Sequence, residues 1–75
     1  MTTQDNPQTY KILRLKQVVE MTGLSRSKIY EMLDQKSTRH DPTFPKSIHL
    51  TSSSVGWLAH ELNSWVESRI AARQM

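Results

Sequence analysis

The chain contains no cysteine, and its 75 residues include only two glycines and three prolines. Without cysteine there is neither a disulfide framework nor a cysteine-based zinc site, so apolar packing alone must hold the fold. A reducing, cytoplasmic setting is the natural expectation. No apolar run approaches the roughly 18 residues of a membrane-spanning helix. The polar start from Met1 to Pro7 also lacks the basic and apolar parts of a signal peptide. A soluble protein that stays inside the cell, with no membrane partner, is therefore expected.

The constellations that carry chemistry are missing as well. Gly23 and Gly56 stand too far apart to build a phosphate-cradling loop. His40, His49 and His60 are separated by nine and eleven residues, a spacing that puts no two imidazoles on one helix face for a metal. No Gly-x-Ser-x-Gly frame surrounds Ser52, Ser53 and Ser54, which read as a turn rather than as nucleophiles. No catalysis, cofactor or metal is expected.

What is present is a modest, unevenly placed positive charge. The formal net charge is +3, yet residues 11 to 50 hold eight Lys and Arg against four Asp and Glu, while residues 51 to 75 hold two against two. A local basic excess attracts polyanions and speeds encounter with them; a solvated surface also needs charge. With 36% hydrophobic residues the chain can close one small core, because domains of this size bury only about 60% of their unfolded surface.

Residues 1 to 11 read as a flexible arm, with Asn6-Pro7 as a turn signal, and the domain spans residues 12 to 75. Leu15, Val18, Val19 and Met21 follow helical spacing, and Thr22-Gly23 then stops that helix. Ser25 is placed to cap a second helix, about Ser25 to Gln35, patterned by Ile29, Met32 and Leu33. Two helices joined by a short glycine-containing turn form the helix-turn-helix pattern, with Leu15, Val18, Val19, Leu24, Ile29 and Leu33 as its shared core. A helical hairpin without a DNA role is the plainer alternative.

Pro42 and Pro45 make Lys36 to Pro45 a loop. Ile48 and Leu50, then Val55 and Trp57, alternate with polar residues on either side of the serines, which predicts a two-stranded β-hairpin, or wing. Leu58, Leu62, Trp65, Val66 and Ile70 draw one stripe on a last helix running to about Arg73, with Trp65 as a main anchor. The fold class is α+β: a small winged helix-turn-helix of two short N-terminal helices, a hairpin and a C-terminal helix.

In such a unit the first turn of the second helix enters the major groove, where Arg and Lys donate to guanine O6 and N7. Arg26 and Lys28 are placed for base or phosphate contacts and Ser27 for a short hydrogen bond. Tyr30 either touches a phosphate or covers the edge of the core. With Ile29 and Leu33 inward, Glu31 and Asp34 point outward and confine contacts to the first turns. Arg39 and Lys46 border the polar loop, where they lie along a phosphate backbone or are simply solvated.

The string from Ile12 to Tyr30, followed by Phe44-Pro45-Lys46 and by Val55-Gly56-Trp57-Leu58, resembles the AlpA family of prophage transcriptional regulators. That resemblance spans nearly all of residues 12 to 73 and implies a MerR-like winged helix overlapping with small phage excisionases. On it, Ser25, Arg26, Ser27, Lys28 and Tyr30 fall on the recognition-helix signature and Lys46 falls beside the wing. The stretch from Lys36 to Thr43 is longer than the family's usual link. The wing tip is Thr51-Ser52-Ser53-Ser54, where the family commonly has glycines and an arginine. Serine hydroxyls such as that of Ser53 remain to hold a phosphate, and Arg39 is the candidate to compensate for the missing cation.

The function these readings imply is sequence-specific binding of double-stranded DNA, to regulate transcription, for example of an integrase gene, or to act as an excisionase. Side-by-side self-association on DNA and contact with an integrase are the further partners implied. The alternative is a protein-interaction module, such as an anti-repressor or integrase-binding adaptor, supported by Glu31 and Asp34 on the outer helix face.

Overall fold

In a computed structural model, which describes residues 9–73, two short helices precede a β-hairpin and a longer helix closes the chain. The elements are β1 (Ile12–Leu13), α1 (Leu15–Thr22), α2 (Arg26–Leu33), β2 (Ile48–Thr51), β3 (Ser54–Leu58) and α3 (Ala59–Ala72). Most of the expected arm, residues 1–8, lies outside the described residues. At its end Lys11 is held: its carbonyl accepts the N–H of Ala59 at 2.9 Å.

Local chemistry accounts for the helix-turn-helix. Gly23 closes α1 at φ 75°, a left-handed conformation that costs glycine little, and its N–H donates to Val19 O at 2.8 Å. The Thr22 hydroxyl donates to Val18 O at 2.8 Å and accepts the Leu24 N–H at 3.1 Å, which pins the turn. Helix α2 ends at Leu33, two residues short of the sequence expectation. The Asp34 carboxylate accepts the Lys36 N–H at 2.9 Å, a local turn that competes with another helical residue. One freed end carbonyl, that of Met32, takes the Asp41 N–H at 3.0 Å.

The three strands form one antiparallel sheet in the order β1-β3-β2. Strand β1 has no counterpart in the sequence reading. Two residues are too short for a periodic signal, and only the pairing of Ile12 with Leu58 and Leu13 with Trp57 makes them a strand. Gly56 lets this edge approach, since a Cβ there would stand 2.5 Å from Ile12 Cγ2 and 3.1 Å from Leu13 O. In the hairpin, His49 pairs with Val55 and Thr51 with Ser54, so Leu50 sits at a register shift and is exposed rather than inward. Ser54 belongs to the strand, and the turn is Ser52-Ser53.

The core consists of Leu13, Val18, Ile29, Met32, Phe44, Trp57 and Leu62, with Leu15, Val19, Leu24, Leu33 and Trp65 packed around it. Two expectations are corrected. Met32 is the buried residue at the end of α2, and Leu33 is only partly buried against the core. Trp57, on the central strand, is the deepest aromatic at 1% exposure. Trp65 is half-buried; its ring meets Phe44 edge-on at 4.9 Å and its indole N–H donates to Asp41 Oδ2 at 3.3 Å. The apolar stripe on α3 outruns the core, leaving Ile70 half-exposed.

Candidate nucleic-acid interface

The first turn of α2 is fixed by its cap. Ser25 Oγ accepts the Lys28 N–H at 3.1 Å from an extended backbone, which satisfies one of the helix's free donors. At 100° per residue, residues four apart lie nearly above one another. Burial of both Ile29 and Met32 therefore turns a ridge of Arg26, Tyr30 and Asp34 to solvent, with Ser27 beside it. Lys28, one turn before Met32, is half-buried on the opposite flank. The Tyr30 ring, 55% exposed, stands on the outer ridge rather than at the core's edge.

Glu31 is partly covered because Arg39 reaches it, with Arg39 Nε 3.7 Å from Glu31 Oε1. This is the one ion pair among the described residues. Arg39 therefore borders α2 and not the hairpin, and the linker explains its position. The Ser37 hydroxyl accepts the Arg39 N–H at 3.0 Å and the Ser37 carbonyl accepts the His40 N–H at 3.2 Å. Asp41 anchors the other half: its Oδ1 accepts both the N–H and the hydroxyl of Thr43, and its Oδ2 accepts from Trp65. The Thr43 hydroxyl, opposed by partial burial and aided by the Thr43 N–H, Trp65 and the charge of Arg69, holds the Asp41 carboxyl below its ordinary value. The extra loop is thus a sequence of side-chain turns tied to α3.

Lys46 is exposed and borders a groove with Met32, Leu33, Gln35 and His40. That is the C-terminal end of α2, about 10 Å of helix from Arg26. The structure does not bring Lys46 together with the first turn. Ser53 occupies the exposed hairpin tip, its N–H donating to Thr51 Oγ1 at 3.2 Å. A residue that the sequence reading passed over connects the two units: Arg14 Nε donates to Val55 O at 3.1 Å across a separation of 41 residues. Its signal was present, because Lys11, Arg14 and Lys16 are followed by no acid until Glu20. Among the described residues, no three His, Cys, Asp or Glu come together to hold a metal ion.

Residues 11–70 match the family described as Prophage CP4-57 regulatory protein (AlpA). The chain is 43% identical over 65 residues to the DNA-binding transcriptional activator AlpA of Escherichia coli (strain K12), covering 87% of this chain and 93% of that protein. It is also 36% identical over 64 residues to the uncharacterized protein ORF88 of Enterobacteria phage P4, covering 85% of this chain and 66% of that one. No solved structure matches. With a matched region that runs from the start of β1 almost to the end of α3, the chain belongs to the AlpA family of prophage regulatory proteins.

Proposed function

We propose that the chain is a DNA-binding transcription regulator of prophage origin, inserting the first turn of α2 into the major groove with the hairpin along the adjacent backbone. The observation that carries this reading is the Ser25-capped α2 with Arg26 and Ser27 exposed, in a chain 43% identical to a DNA-binding activator. Arg26 reads a base or a phosphate, Ser27 adds a short hydrogen bond and Tyr30 reaches the backbone. Lys28 contributes from the flank, Arg39 adds charge further along the helix, and Ser53 meets a phosphate at the hairpin tip. Lys46, beyond the far end of α2, acts by general attraction only.

The rival interaction-module reading drew on the acids of the outer face. Glu31 already has Arg39 beside it, and one oxygen of the Asp34 carboxylate accepts the Lys36 N–H, so both acids have partners within this chain. A single unit this small makes few contacts, and side-by-side binding to repeated sites raises the effective concentration. The same DNA activity serves recombination directionality when the site lies in an attachment region, with an integrase as neighbour.

The test is titration of the purified chain against a duplex selected from a randomised pool, at two salt concentrations. Binding that weakens steeply with salt is expected. Failure to enrich any duplex overturns the proposal. Footprinting on an integrase promoter and on an attachment site then separates regulation from excision.

A further inference from the structure

We infer that Arg14 is a phosphate clamp at the junction of the helix-turn-helix and the hairpin, binding the DNA backbone while holding the hairpin in place. The inference rests on the proposed DNA-binding function and adds to it a residue outside the recognition helix and outside the hairpin tip.

Arg14 immediately precedes α1, whose Val18 packs in the same core as Ile29 of α2. Its side chain crosses to β3, where Nε donates to Val55 O at 3.1 Å. A guanidinium carries five N–H donors in one plane. The Val55 carbonyl uses the one on Nε, which leaves the four N–H of the two terminal nitrogens on an exposed residue. No carboxylate among the described residues pairs with Arg14. A tethered planar fork with unspent donors suits the paired oxygens of a phosphate, which a lysine meets only as a point charge.

The electrostatic setting points the same way. Lys16 follows Arg14 within the first turn of α1, and that turn holds no acid. Two cations at the positive end of a helix dipole disfavour each other and the helix, a cost that an incoming anion relieves. A duplex that takes α2 in its major groove and follows the hairpin brings its backbone past the junction that Arg14 spans. One phosphate there would be bonded to a side chain tied to both units.

The experiment compares the full chain with Arg14→Gln, Arg14→Met and Arg14→Lys on a duplex selected by the unaltered protein, across a range of salt. Circular dichroism melts accompany each titration, and Arg14→Met, which keeps the aliphatic stem, serves if the Gln variant is unstable. The neutral variants are expected to bind roughly tenfold more weakly at low salt, with the salt slope reduced by about one. Arg14→Lys is expected to restore the slope. Its Val55 and Gly56 amide resonances should move in the free protein, since lysine lacks the Nε–H that Arg14 donates to the Val55 carbonyl. An unchanged slope in the neutral variants overturns the clamp, and so does a lost slope that lysine fails to restore, because that pattern belongs to a purely structural tie. Absence of binding by the unaltered chain overturns the DNA-binding function itself and is read separately.

Discussion

Arg39 in the linker pairs with Glu31 on α2, Nε to Oε1 at 3.7 Å. The contact joins the longer loop to the middle of α2 and sets a cation beside an acid of the outer helix face. Both side chains are substantially exposed, 63% and 45%, so the pair contributes little to stability. Its consequence lies in the field that a phosphate meets.

Replacement of Glu31 by Gln removes a negative charge from the helix face and releases Arg39. DNA affinity should rise by a few-fold, with a steeper salt dependence, while the melting temperature hardly moves, because an exposed pair is worth at most about 1 kcal/mol. Paired titrations at low and moderate salt measure this. Weaker binding by Glu31→Gln would mean that the carboxylate itself contacts DNA, for example a cytosine amino group.

Arg26→Ala and Lys28→Ala are expected to differ. Arg26 is exposed on the outer ridge, so its loss should cost roughly 1 to 3 kcal/mol of binding if it reads a base, with relaxed specificity at one position. Lys28 is half-buried on the flank, so its loss should lower affinity evenly across sequences. Competition between selected and random duplexes separates the two outcomes. Ser25→Ala is the control for folding: losing the cap should cost about 1 kcal/mol, or about 4–8 °C in melting temperature.

Gly56→Ala should be more damaging than its position in a surface hairpin suggests. The added methyl meets Ile12 Cγ2 at 2.5 Å and Leu13 O at 3.1 Å, so the paired strand must shift to admit it. Destabilisation of about 1–3 kcal/mol is expected from overpacking, with β1 peeled from β3. Hydrogen exchange at the Ala59 amide, which donates to Lys11 O, reports that detachment directly. Native protection in the variant would show that β1 stays paired and that the sheet accommodates the added methyl.

Asp41 sets the acid limit of the linker. Its folded-state carboxyl lies below the ordinary value of 3.8, chiefly through the Thr43 hydroxyl. A depressed pKa stabilises the fold above the ordinary value, and that contribution is lost as pH falls through the lowered one. Asp41→Asn should therefore cost about 1 kcal/mol near neutral pH, and the gap to the unaltered protein should close below about pH 4. Melts followed by circular dichroism across pH test the window; a gap independent of pH would assign the effect to packing.

The amino-acid sequence by itself determined the elements whose signals are local. The Gly23 stop, the Ser25 cap, the two prolines of the linker, the alternation around the serines and the stripe on α3 each act within a few residues, so periodicity and turn chemistry expose them. The basic first turn of α2 was legible for the same reason. Contacts between distant segments were decided only in the tertiary structure. Ile12 and Leu13 become a strand because β3 stands beside them, and Met32 joins Phe44 and Trp57 in the buried cluster while Leu33 packs at its margin. Arg39 turns to Glu31 because the linker folds back on itself, and Arg14 reaches Val55 because the sheet brings the hairpin to α1. Such pairings have no sequence period; their partners lie too far apart along the chain for any local pattern to record them.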